Sequence, residues 1–117
     1  MEELDVKIGT AGNTRLPCFA VIKSKGYQIS ITQFVSHLDQ GVNLCYQYDA
    51  VKNDRLFSGN SPEELLGIIT MWEMRGDNWR ATWNEKKEYE QAYYNAPHFI
   101  ESNEAFYDED GNLIEDD

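Results

Sequence analysis

A chain of 117 residues that is 41% hydrophobic and 13% aromatic is too apolar for disorder and long enough to bury one core. Its two cysteines exclude a disulfide scaffold, so Cys18 and Cys45 read as reduced thiols on strands. The net charge of −11 argues against direct contact with nucleic acid or an anionic membrane, since phosphate contacts need cations.

Residues 4–9 alternate apolar and polar positions and read as a short first strand. Residues 10–16 are turn-rich. Pro17 then opens the run 18–23, apolar on both faces, which reads as a strand ending in a hairpin turn at Ser24-Lys25-Gly26. Residues 27–34 alternate cleanly, with Tyr27, Ile29 and Ile31 against Gln28, Ser30 and Thr32. Residues 35–41 suit either a helical turn or a strand running into a loop, and the strand is favoured. Residues 42–48 alternate again. Lys52-Asn53-Asp54 makes a turn before a short strand over 55–58.

Residues 61–76 (S-P-E-E-L-L-G-I-I-T-M-W-E-M-R-G) specify a helix at nearly every position. Ser61 caps the first turn, Pro62 takes the position where a missing N–H costs nothing, and Glu64 completes a capping box. Leu65, Ile68, Ile69 and Trp72 share one face, so Trp72 is expected in the core. Gly67 suggests a close backbone approach. Trp79 and Trp83 would share a face if that segment is helical, and residues 84–94 are rich in helix formers, with Thr82 or Asn84 as cap. Asn95-Ala96-Pro97 ends that helix. Residues 98–117 read as an acidic, irregular tail. A small hairpin can form around Asp110-Gly111, and the last three residues are expected to fray.

The fold expectation is therefore a single α+β domain over 1–117. Residues 1–58 are mostly strands in an antiparallel meander, covered by the helix at about 61–75, with a second short helix at about 84–94.

Charge placement separates the two halves. Residues 1–60 carry six acids and six bases, whereas residues 61–117 carry 15 acids and four bases. After Lys87 there is no cation, and ten carboxylates follow. Aromatic side chains interleave with them, which is the composition of an electrostatically steered protein interface. The candidate partner-binding residues are Glu88, Tyr89, Glu90, Tyr93, Tyr94, Glu101, Glu104, Tyr107, Asp108, Glu109 and Asp110. The complement they call for is a basic protein.

Other chemistry finds no footing. His37 and His98 are far apart and have no second ligand at zinc spacing. Asp108-x-Asp110-x-Asn112 opens like a calcium loop, but Leu113 stands where glycine is required. No nucleophile elbow and no phosphate-binding glycine loop occurs. Glu63 and Glu64 are explained by helix capping, and Arg75-Gly76-Asp77 by a helix end. The expectation is a non-enzyme without metal or cofactor. No basic-plus-apolar leader is visible and no run is long enough to span a bilayer, so a cytoplasmic setting is expected.

The stretch S-P-E-E-L-L-G-I-I-T-M-W-E-M-R-G-D-N-W-R resembles stretches in small bacterial immunity proteins of toxin–immunity systems, including contact-dependent growth inhibition. The resemblance covers about a fifth of the chain. It implies a small acidic cytosolic protein that binds and blocks a toxin domain, often a basic nuclease. Two alternatives fit the same composition. One is an acidic secretion chaperone, which would expose an apolar groove and dimerise. The other is a phage-type inhibitor that mimics nucleic acid, although the neutral first sixty residues oppose it. A homodimer is compatible with all of these.

Overall fold

The computed structural model describes residues 4–38 and 41–115. It is an α+β protein whose chain divides into two compact units, one ending at Trp79 and the other beginning at Arg80. The loop expected at 39–41 lies outside the described residues except for Gly41, which opens a strand, and the fraying expected at 115–117 lies outside them except for Glu115.

The first unit does not begin with a strand. Residues 4–9 are irregular and exposed, and a single 3₁₀ turn over Gly12–Thr14 follows. The run expected as a strand at 18–23 lies inside a helix, α1 (Arg15–Ser24). Pro17 misleads here, because it suits the opening of a strand and equally the first helical turn, where its amide would be unpaired anyway. A five-residue apolar run also carries no period that separates the two states. Its core-facing side chains are Ile22, fully buried, and Cys18 and Phe19, half-buried. These recur at three and four residues, as one face of a helix requires. Lys25 ends α1 and Gly26 turns the chain with φ 92°.

Three antiparallel strands follow: β1 (Gln28–Leu38), β2 (Gly41–Lys52) and β3 (Arg55–Gly59), in that spatial order. Gln28 lies opposite Val51 and Leu38 opposite Gly41, so β1 and β2 form one long hairpin. Asn53 and Asp54 both take positive φ, 50° and 65°, between the paired residues Lys52 and Arg55. Asn and Asp tolerate that conformation, and it gives a tight two-residue turn whose twist matches the strands.

Helix α2 (Pro62–Arg75) follows the sequence closely. The Glu64 amide donates to Ser61 Oγ at 3.1 Å, and Glu64 Oε2 accepts from the Asn60 amide at 2.9 Å. Leu65 and Ile69 are fully buried. Ile68 and Trp72 are not: Ile68 is exposed and Trp72 half-buried. Trp72 lies 5.6 Å from the Phe57 ring, and the Arg55 guanidinium covers it at 4.5 Å, so it closes the edge of the core and does not fill it. The core is Ile22, Tyr27, Ala50, Leu65 and Ile69, with Ile29, Tyr48, Phe57 and Leu66 packed against it. Two contacts tie α1 and its N-terminal approach to α2. Thr14 Oγ1 donates to Glu63 Oε2 at 2.9 Å, and Lys25 pairs with Glu73 at 2.8 Å.

In the second unit, α3 (Trp83–Tyr94) is capped by Thr82. The Glu85 amide donates to Thr82 Oγ1, and Glu85 Oε1 accepts from the Thr82 amide. Trp79 lies ahead of this helix, so Trp79 and Trp83 share no helical face. The tail expected to be irregular instead forms a second antiparallel sheet of β4 (His98–Ile100), β5 (Ala105–Tyr107) and β6 (Leu113–Ile114). The hairpin around Asp110-Gly111 is present as its β5–β6 connection.

The glycines give a test of sign. A Cβ on Gly67 would meet nothing within 4 Å, so the close approach expected there does not occur. A Cβ on Gly59 would lie 3.0 Å from the Leu65 backbone nitrogen. In chemical denaturation, Gly67→Ala is expected to stabilise by about 1 kcal/mol through helix propensity. Gly59→Ala is expected to destabilise by about 1–3 kcal/mol, as overpacking does. Leu65→Ala should cost about 2–5 kcal/mol, more than Trp72→Ala.

Candidate functional site

Two surfaces stand out, one in each unit. The first gathers the predicted residues in the unit that begins at Arg80. This unit carries 11 acids against three bases, a net of −8. Among its described residues no side chain is buried. On α3, Tyr89, Tyr93 and Tyr94 are 70–74% exposed. Tyr89 and Tyr93 lie four apart on one face and stack at 6.4 Å, and Tyr94 meets Tyr93 edge-on at 6.0 Å. Large aromatic surface left in water at this density is unusual for an isolated helix and is the pattern of an anchor cluster.

The acids divide by role. Glu88, Glu101, Glu104, Glu109 and Asp110 are exposed. Glu90 is half-buried and pairs loosely with Lys86 at 3.9 Å. Asp108 is absorbed by the β5–β6 turn, where its Oδ1 accepts from the amides of Asp110 and Asn112 at 3.0 and 2.8 Å. That turn explains the calcium-like spacing without an ion. Among the described residues no group of three metal-ligating side chains converges. Tyr107 is half-buried, and its hydroxyl accepts from Asn103 at 3.1 Å, so it serves the small sheet and not an open surface. Glu104 takes a left-handed conformation, φ 50°, in the connection from β4 to β5.

The candidate residues leave out the apolar side of this unit, although Phe106 and Ile114 flank the expected hairpin. Phe99 faces Phe106 across β4–β5, their rings 4.9 Å apart, and Phe106 faces Ile114 across β5–β6. All three remain 42–52% exposed. Trp83, 70% exposed, carries Lys87 over its ring at 4.9 Å. The pairing of Phe99 with Phe106 is not legible in the sequence, because β4 is only three residues long and too short to show a period.

The second surface is the far end of the β1–β2 hairpin. Ile31, Val35, Val42, Leu44 and Tyr46 lie on the same face as the core residues Ile29 and Ala50, yet are 45–58% exposed. Beside them Arg15, Leu16, Phe19, Ile31, Tyr48 and Pro62 line an open, mostly apolar groove. Strand lengths carry the signal. Eleven residues of strand span about 37 Å, and a 14-residue helix about 21 Å, so one helix cannot cover the hairpin.

Cys18 and Cys45 are free thiols, the first half-buried on α1 and the second exposed on β2. On the opposite face of the sheet, hydrogen bonds from Ser58 and Gln47 hold the Asp49 carboxyl below the usual carboxylate range. Comparison with family models, curated proteins and solved structures finds no match. The site is therefore read from its own geometry.

Two measurements follow. Alanine at Tyr89, Tyr93 or Tyr94 should change folding stability by less than about 1 kcal/mol each, since exposed side chains contribute little. For Asp49, Ser58→Ala should raise its pKa toward the ordinary value, read by NMR titration of the carboxyl carbon. A depressed folded-state pKa means the linked stabilisation is present above the unfolded pKa. It is lost as pH falls through the folded value, and Ser58→Ala moves that loss to higher pH.

Proposed function

We propose that this chain is a stoichiometric acidic binding protein, acting as an immunity protein that neutralises a basic toxin domain such as a nuclease. One observation carries the reading. The unit beginning at Arg80 combines a net charge of −8, no buried side chain among its described residues, and a stacked cluster of exposed tyrosines. A polypeptide of this size rarely sustains itself without a core or a staple, and a partner surface supplies the missing burial.

The physical division of labour follows from range. Carboxylates at Glu88, Glu101, Glu104, Glu109 and Asp110 act at a distance. Their attraction reaches across the screening length, about 8 Å at physiological salt, and raises the encounter rate. In contact, they take the place that substrate phosphates hold on a nuclease. Tyr89, Tyr93 and Tyr94 act only in contact, by filling pockets, and set the dissociation rate. A cytoplasmic setting suits this role.

A second reading, an acidic secretion chaperone, draws on the uncovered apolar face at Val35, Leu44 and Tyr46. It requires that face to bind client segments. Leu44→Lys with Tyr46→Lys would then abolish binding, whereas the inhibitor reading leaves binding intact.

The test begins with the toxin-like product of a neighbouring gene, co-purified with this protein and then used in binding kinetics. Glu→Gln changes at Glu88, Glu101, Glu104 and Glu109 together should slow association at low salt and matter little at high salt. Tyr93→Ala should leave association unchanged and speed dissociation by roughly 30-fold, the equivalent of a hot spot of about 2 kcal/mol. Association of the charge variant at the wild-type rate in low salt would remove the support for this function.

A further inference from the structure

We propose that the outer edge of β1 is a homodimer interface, at which β1 of a second copy adds antiparallel to form one continuous six-stranded sheet. The inference is independent of the toxin-binding reading, since it rests on the unit that ends at Trp79.

A sheet edge presents unpaired N–H and C=O groups, and soluble proteins blunt such edges with short strands, charge, proline or bulges. The described edges of this protein divide sharply on that rule. In the small sheet, β4 has three residues and β6 two. In the main sheet β3 has five residues and opens with Arg55. β1 has eleven residues, Q-I-S-I-T-Q-F-V-S-H-L, with no proline and no Asp, Glu, Lys or Arg. It pairs residue for residue with β2 from Gln28 to Leu38 without a bulge, and among the described residues no strand pairs with its other side. None of the usual protections is present on the longest edge.

The occupant is argued from charge and self-complementarity. Each copy carries −11, so two copies repel unless they meet where carboxylates are absent. β1 is such a place. A two-fold axis makes one surface serve both copies, and an antiparallel strand pair satisfies it directly. With the axis through Gln33, Ile31 of one copy lies opposite Val35 of the other, and Thr32 lies opposite Phe34. Same-face residues then stay on the same face, so the uncovered apolar strips of the two hairpins join into one sheet face. Ile31, Phe34 and Val35, now 52–53% exposed, gain neighbours. Eleven residues against eleven form roughly ten backbone hydrogen bonds, about the number in a standard specific interface.

Sedimentation velocity of the full chain over a concentration and salt series tests this. The expected result is a species of twice 13.6 kDa that grows with concentration and with salt, because salt screens the repulsion between two acidic bodies. Toxin binding should weaken with salt, so failure of one proposal is distinguishable from failure of the other. Thr32→Lys with Phe34→Lys sets like charges opposite each other across the axis and should weaken the dimer by roughly tenfold or more. Far-UV circular dichroism and the melting temperature of the variant should match the wild-type monomer. As a measurement that needs no variant, amide hydrogen exchange should show the β1 amides that face away from β2 becoming protected as concentration rises. A monomer at every soluble concentration would overturn the proposal. So would a dimer in which those amides keep their monomer exchange rates.

Discussion

The fold turns on a mismatch of lengths. Leu65 and Ile69 on α2, Ile22 on α1 and Ala50 on β2 make the dry centre of the first unit. They sit where β1 begins and β2 ends. The strands then run on well past the helices that cover them. Every described residue on the far side of that limit is exposed, although Val35, Val42, Leu44 and Tyr46 keep apolar side chains on the core-facing side of the strands. Burial is thus decided by the reach of the helices and not by the pattern of the strand. The same limit places Trp72 at the margin of the core, between Phe57 and Arg55.

Much of the local structure was legible because it is encoded by short-range chemistry. The cap at Ser61, the turn at Asn53-Asp54 and the alternation of β1 and β2 each depend on a few neighbouring residues, and each is found. The failures have physical causes as well. A continuous apolar run after Pro17 is compatible with strand and helix, and tertiary packing of Ile22 against α2 selects the helix. Residues 4–9 alternate but find no strand to pair with. Gly67 looked like a close approach, whereas the real one is Gly59, whose tight packing against the Leu65 backbone no local pattern could reveal. For the site, composition pointed to the acidic residues and tyrosines. It could not separate exposed Tyr93 from half-buried Tyr107, or free Glu109 from Asp108 held in a turn.

The two units differ in burial and in charge. The first has the core and carries a net charge of −3, while the second has no buried side chain among its described residues and a net charge of −8. Stability is rarely uniform along a chain, and binding elements are drawn from its less stable end. A helix such as α3, with no buried residue, draws on local interactions such as its capping at Thr82. Those hold a short helix only marginally in water. An interface that buries Tyr89, Tyr93 and Tyr94 would change that balance.

Residue-resolved amide hydrogen exchange on the free protein, repeated with a bound basic partner, tests the central claim most directly. In the free protein the amides of α3 should exchange far faster than those around Leu65 and Ile69, and partner binding should slow α3 selectively. Protection of α3 equal to that of α2 without any partner would mean that the acidic unit is complete in itself. The account of it as a surface awaiting a partner would then be contradicted.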